Sequence, residues 1–366
     1  MIEIAEERLT GDALGRWRQL WEAVYGRDTR AVAPFWEERL REWESLEGRS
    51  RAFFAIRAGE IVAALVAIAP GKTGGDEVFR GQIGYFEAFN DQAAVQTLFR
   101  AAVAYLEAKG AEEIIGPMNG DTWHEYRLSL GPYEHPPFLK EPYQKPYYQA
   151  LWEAEGFEIL QGYHSRYVED LESLREFHYP RWAEAEKQGY RREPMSQKEL
   201  PRLLERVYAM TTLIFEDAFL YEDIEKEAFL KLYGGVKTLL DERLSFILVG
   251  PEGDDAGFAF VFPDLIDALR VMKGEKTFSS KVRFLLQRRL HRPKRVNIKT
   301  VGVMPAHRGK GLSSAMAYLY LDSIIKAGFK GANMCLIADG NHSARADTGV
   351  GEVSRRYGLY IWKGGK

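Results

Sequence analysis

The chain has 366 residues, 46% of them hydrophobic and 28% charged, with a formal net charge of −3. This is the balance of an ordinary folded protein; it excludes a disordered or membrane-embedded chain and gives no global attraction to nucleic acid. A single cysteine, Cys335, excludes an intramolecular disulfide framework and fits a reducing, cytoplasmic setting.

The N-terminus is acidic where a secretory signal would be basic, so no export is expected. Residues 14–25 and 34–46 place Trp17, Leu20, Trp21 and Val24, then Trp36, Leu40 and Trp43, at helical spacing. Residues 53–70 read as a β-hairpin turning at Ala58-Gly59. Its apolar run, 61–70, is about half of the roughly 20 residues that span a bilayer, and no membrane partner is expected. A strand at 81–89, a helix at 93–108 stopped by Gly110 and a strand at 112–118 follow. Residues 131–148, rich in proline and tyrosine, read as irregular.

The second half repeats that order: helices at 199–215 and 224–240, a hairpin at 245–263, a strand at 296–303, a helix at 312–326 closed by Gly328 and a strand at 331–339. Residues 264–294 are an insertion, and 353–362 alternates like a final strand. The repeat predicts two domains of similar α/β architecture, 1–170 and 171–366.

One segment carries chemistry. A β-rich strand containing Val301, Gly302 and Val303 stops at Pro305, and a basic, glycine-rich turn leads into the helix at Leu312. The first amides of a helix lack internal partners and the dipole is positive there, so the turn is suited to a pyrophosphate. Gly309 and Gly311 permit close approach of phosphate to backbone, Arg308 and Lys310 add charge, and His307 flanks the turn. A nucleotide P-loop is excluded, because Gly311 stands where a Ser or Thr would bind magnesium.

The run Arg308-Gly309-Lys310-Gly311-Leu312-Ser313 resembles the acyl-CoA turn of the GNAT N-acyltransferases, Gln/Arg-x-x-Gly-x-Gly/Ala, with serine at the last position. The resemblance implies a mixed-sheet α/β fold, acetyl-CoA or another acyl-CoA as cosubstrate, and pantetheine held by the backbone of Val301, Gly302 and Val303. It also implies an asparagine after the next strand, which Asn341 fits, and a tyrosine seven residues on, where Thr348 stands instead. Tyr357, in the final strand, either reaches back as proton donor or packs. The layout, with Gly116-Pro117-Met118-Asn119 and Trp123-His124-Glu125-Tyr126 in the first half, resembles tandem GNAT-like bacterial proteins. Fem-type aminoacyl transferases also pair two such domains.

The first half has Asn90-Asp91-Gln92 in place of the glycine turn, and Asp91 would repel phosphate, so that half is expected to be degenerate. Asn119, Asp121, Trp123 and Glu125 either line an acceptor pocket or form a capped turn anchored by Trp123. Glu216 and Asp217 are candidate bases for a small-molecule or peptide amine, or plain surface acids. The basic run 281–299 is read as a solvated face, a contact for the CoA 3′-phosphate or an RNA patch, the phosphate contact being preferred and nucleic acid not expected as a partner. The seven histidines show no metal-ligand spacing, and no metal is expected. The function read from the sequence is N-acyl transfer; a non-catalytic CoA-binding protein is the alternative.

Overall fold

Thr10 accepts the amide of Ala13 and starts α1 (Gly11–Tyr25), which with α2 (Trp36–Leu46) follows a short edge strand, β1 (Ile2–Glu7). In this computed structural model residues 1–72, 78–340 and 351–364 are described. The first-half sheet continues with β2 (Ser50–Arg57), β3 (Glu60–Lys72) and β4 (Phe79–Ala88). Ala58 and Gly59 both have positive φ, the turn that matches hairpin twist. α3 (Gln92–Ala108) and β5 (Glu113–Gly116) complete the core motif. Alternation along β2 divides its side chains: Phe53 and Ala55 face α3, whereas Ala52 and Phe54 face α1 and α2.

The first half ends with β6 (Leu128–Gly131), α4 (Tyr148–Ala154) and β7 (Glu158–Val168), and the second opens with α5 (Leu171–Lys187) and β8 (Arg191–Pro194). The second half repeats the first: α6 (Leu200–Ile214), α7 (Lys226–Tyr233), β9 (Phe246–Val249) and β10 (Asp255–Pro263). The inserted α8 (Ile266–Arg270) and α9 (Phe278–Leu290) precede β11 (Arg295–Val303), α10 (Leu312–Lys326), β12 (Gly331–Ala338) and β13 (Glu352–Trp362). The helix expected at 224–240 is shorter than that, because at Gly234-Gly235 it tightens into a 3₁₀ turn, Gly234–Thr238.

Among the described residues the thirteen strands form one sheet, ordered β1-β2-β3-β4-β5-β13-β7-β12-β11-β10-β9-β8 with β6 on β13. β7, which closes the first half in sequence, pairs with β12; β13, which closes the second, pairs with β5. The halves therefore exchange their last strands, and the sheet runs on across residue 170. The insertion also leans on the first half: Trp36 donates its amide to the Gly274 carbonyl (3.2 Å), and Lys276 pairs with Glu38. No described helix is long and apolar enough to cross a membrane.

Candidate functional site

β11 pairs in parallel with β12 only from Arg295↔Gly331 to Ile298↔Met334, yet it runs on to Val303. The strands thus part, and Val301, Gly302 and Val303 have no β12 partner. At the parting point β11 bulges: Phe260 opposes Thr300 and Val261 opposes Ile298, leaving Lys299 as the extra residue. Val296, Ile298, Val301 and Val303 pack toward α10. Gly302 faces α6, where a Cβ would stand 2.9 Å from the Ile214 side chain.

The bulge aims Lys299 toward the first half, where its Nζ donates to the Lys140 carbonyl (3.3 Å). Desolvation lowers the Lys299 ammonium to about 8, with Arg127 and Lys140 adding to the fall and the neighbouring Cys335 opposing it. Burial pushes the Cys335 thiol well up. Lys299 ends the basic run 281–299, and nothing else in the sequence sets it apart; the bulge that singles it out is visible only in the strand register.

Past Val303 the chain enters a 3₁₀ turn, Pro305–His307, and then α10. Gly309 (φ 79°) and Gly311 (φ 75°) are both left-handed, and Gly311 is an N-cap with no side-chain hydrogen bond, so the first amides of α10 keep no side-chain partner. Gly309, Lys310 and Ser313 are exposed, while Leu312 is buried and anchors the helix. Arg308 donates to the carbonyls of Val303 (3.4 Å) and Ile214 (2.8 Å), tying the strand end to α6. His307 does not face the turn as expected: its ring is buried between Asp254 (2.7 Å) and the Tyr190 hydroxyl (3.0 Å), so it braces the loop instead. A residue not anticipated, Arg181 of α5, is exposed and lies against Gly311.

The first half carries the same frame with its openings filled. β4 pairs with β5 only over Arg80–Gln82, and it bulges at Tyr85 and Phe86, which share one opposing residue. There the Tyr85 amide donates to Asn119 Oδ1 (2.8 Å) and its carbonyl accepts from the Trp17 indole (2.7 Å). The Ala88 amide donates to the Tyr148 hydroxyl (2.8 Å), and the Ala88 carbonyl accepts from Tyr147 (2.9 Å). Asp91 caps α3 and pairs with Arg57 (2.6 Å). Side chains take the backbone edge that a pantetheine would need.

What remains is a cavity of about 220 Å³ between α1, α2, β4 and the 137–144 loop, with Ile266 and Leu269 of the insertion on its wall. Asn119 and Glu125 line it. Glu125 accepts from Arg39 (2.7 Å), whose charge holds the carboxyl below its ordinary range. Glu87 also lines it; burial raises its carboxyl to about 8, although the Tyr148 hydroxyl donates to it (2.7 Å). Lys140 and Glu141 line the same cavity, and the Lys140 carbonyl accepts from Lys299. The other two residues expected with this pocket are structural. Asp121 accepts the amides of Trp123 and His124, and Trp123 packs on Tyr221 and Phe229 while its indole donates to the Glu222 carbonyl (2.9 Å).

Tyr357 is buried, and its hydroxyl is held by Glu141 and by Ser165 (3.1 Å). Glu141 pairs with the equally buried Arg355 (2.8 Å), closing the exchange of strands from within. Of the two readings of Tyr357, packing is the one its surroundings match. Glu216 and Asp217 are exposed on the loop that leaves α6 at Ile214. Asn341 and Thr348 lie outside the described residues. The basic run cannot serve the CoA 3′-phosphate from where it stands: α9 enters β11 at Arg295, and the phosphate turn follows Val303 at the other end, a strand of roughly 25 Å away.

No family model matches the chain. It is 21% identical over 348 residues to a bacterial ceramide synthase of Caulobacter vibrioides, an alignment spanning 90% of this chain and 88% of that one. It is 32% identical over 111 residues to Protein YghO of Escherichia coli, spanning 29% and 28%. Among solved structures, a tandem GNAT protein from the clavulanic acid biosynthesis pathway superposes with a TM-score of 0.55 at 13% identity, covering 100% of this chain and 99% of that one. A GCN5-related glucosamine N-acetyltransferase region of a fungal multi-domain β-N-acetylglucosaminidase gives 0.54 at 15%, covering 99% of this chain and 38% of the other. The fold is therefore that of two GNAT-like domains in tandem.

Proposed function

We propose that the second half binds an acyl-CoA and transfers its acyl group to an amine admitted through the first-half cavity. The observation that carries this reading is the contrast between the two openings: side chains fill the one beside β4, whereas Val301–Val303 has no β12 partner, meets the Arg308 side chain at the Val303 carbonyl, and leads into an uncapped helix start. The pyrophosphate rests on the amides of Leu312 and Ser313, with Lys310 and Arg181 supplying charge. Arg308 and His307 hold the turn in shape. The pantetheine follows Val303, Gly302 and Val301 back along β11, which brings the thioester to the bulge at Lys299. Residues 1–170 and 171–366 then divide the labour, the first shaping the acceptor site.

The amine attacks the thioester carbonyl, the C–S bond breaks and an amide forms, with the CoA thiolate leaving. Lys299, as ammonium, protonates that thiolate, in place of the tyrosine the family would have supplied at Thr348. Its lowered pKa makes proton release easy near neutrality. The amine's own proton passes to solvent, with Glu216 and Asp217, exposed after the end of α6, as the candidate relays.

The relative in Caulobacter vibrioides is a ceramide synthase, a protein named for forming an N-acyl lipid. That supports an amine on an apolar or amphipathic molecule, and the aromatic wall of the cavity, with Trp17, Trp21 and Tyr143, suits such a body. A cytoplasmic location follows from the donor, which is made there. The test is thiol release from acetyl- and longer acyl-CoA with a panel of amines including long-chain amino alcohols. Turnover by the wild type and its loss in Lys299→Met support the reading. CoA binding without turnover on any amine points instead to a non-catalytic CoA-binding protein, and dependence on charged tRNA to a Fem-like transferase.

A further inference from the structure

α9 has two apolar faces, of which the fold uses one. Ser280 and Phe284 are buried against the body of the protein. At about 100° per residue, Phe278, Val282, Leu285, Leu286 and Leu290 form a stripe centred roughly opposite that face. The stripe is open to solvent: Phe278 is 85% exposed, Leu285 60%, Leu286 55% and Leu290 73%. Folding alone does not call for four large side chains so placed, and an exposed apolar stripe of this kind marks a contact surface.

The charges around the stripe identify what it touches. Lys281 borders it on one side and Arg283 on the other, with Arg289, Arg292 and Lys294 at its C-terminal end, all exposed. From Phe278 to Lys294 the sequence holds no acidic residue, and among the described residues none of these five cations is in an ion pair. An apolar stripe between cationic flanks is the pattern of a helix lying in the headgroup layer, apolar side chains among acyl chains and cations among lipid phosphates. A second copy of the chain would bring like charges together on both flanks. Nucleic acid would satisfy the cations and leave the aliphatic stripe in water.

We propose that α9 docks this protein onto the surface of an anionic lipid bilayer, with Phe278, Val282, Leu285, Leu286 and Leu290 inserted. This revises the sequence expectation of no membrane partner, which considered only segments able to span. α8 of the same insertion lines the first-half cavity through Ile266 and Leu269, so docking would set that cavity beside the bilayer. The inference does not depend on acyl transfer.

The test is co-sedimentation of the full chain with vesicles of phosphatidylcholine alone or mixed with phosphatidylglycerol. The double substitutions Leu285→Glu/Leu286→Glu and Lys281→Glu/Arg283→Glu change exposed side chains only, and thermal melting checks that both fold. Wild type should bind the mixed vesicles about tenfold or more tightly than the neutral ones, and each double variant should lose about tenfold or more on mixed vesicles. Failure of the wild type to bind mixed vesicles overturns the proposal, as does equal binding by the variants. So does light scattering that shows a dimer dissolved by Leu285→Glu/Leu286→Glu, or a preference for an RNA homopolymer over the vesicles.

Discussion

Arg181 of α5 lays its side chain over Gly311, so that a Cβ added at Gly311 would stand 3.3 Å from Arg181 Cδ. The contact brings an exposed cation from another element to the uncapped start of α10, beside Lys310. A phosphate seated there meets both charges.

Arg181→Ala should therefore weaken CoA binding by roughly 5–20-fold, with a shallower dependence on salt than in the wild type. Calorimetric titration at two ionic strengths measures both. Unchanged affinity would remove Arg181 from the site.

Lys299 should show itself twice. As a proton donor it works in its charged form, so the rate of acyl transfer should fall as pH rises through about 8. Lys299→Met should lower kcat more than it changes KM for acyl-CoA. Stability moves independently: the folded-state pKa lies below the unfolded value, so the cost of holding the charge is full below about 8 and fades as pH rises toward the ordinary lysine range. Lys299→Met should thus be more stable than wild type at pH 7, with the gain shrinking above pH 8 in melting curves.

Glu87 titrates in the opposite sense. Its folded-state pKa of about 8 lies above the ordinary 4.5, so the wild type loses stability as pH climbs between those values. Glu87→Gln keeps an acceptor for Tyr148 and cannot ionise. Its advantage over wild type should be near zero at pH 4, grow to about 1–4 kcal/mol by pH 8, and then level off. A flat difference across that window would mean that the buried carboxyl is not protonated in the fold.

Arg355 and Glu141 meet at 2.8 Å with only 1% of either side chain exposed. Arg355→Met leaves a buried carboxylate without its cation and should cost about 3–5 kcal/mol in denaturant unfolding. Tyr357→Phe removes one hydroxyl from the same cluster, should cost about 1–2 kcal/mol, and should leave turnover close to wild type. A large loss of kcat with CoA affinity intact would return Tyr357 to the chemistry.

Local signals carried much of this fold. α10 runs over the residues its spacing predicted, because Gly311 and Gly328 bound an uninterrupted apolar pattern. The Ala58-Gly59 turn and the repeat of helices, hairpin, strand, helix and strand were equally visible. The exchange of β7 and β13 was not, since strand pairing between distant segments leaves no local trace. The places of Arg181 and Lys299 are hidden for related reasons: one reaches the turn from another helix, and the other is aimed at the first half by a bulge set by its neighbour strand. Trp123 looked like a pocket residue because aromatics serve both binding and packing, and its contacts with Tyr221 and Phe229 decide for packing. The cations of α9 are legible in the sequence as the basic run 281–299, but the exposure of Phe278, Leu285, Leu286 and Leu290 among them is not, because helical spacing does not say which face is buried.

The opening beside β11 and α10, and not its counterpart in the first half, is where an acyl-CoA should bind. Calorimetry with acetyl-CoA on wild type and Gly311→Glu, both checked for folding by thermal melting, addresses it most directly. Wild type should show one binding event per chain and the variant none. Equal binding by the two proteins would move acyl-CoA away from the α10 turn.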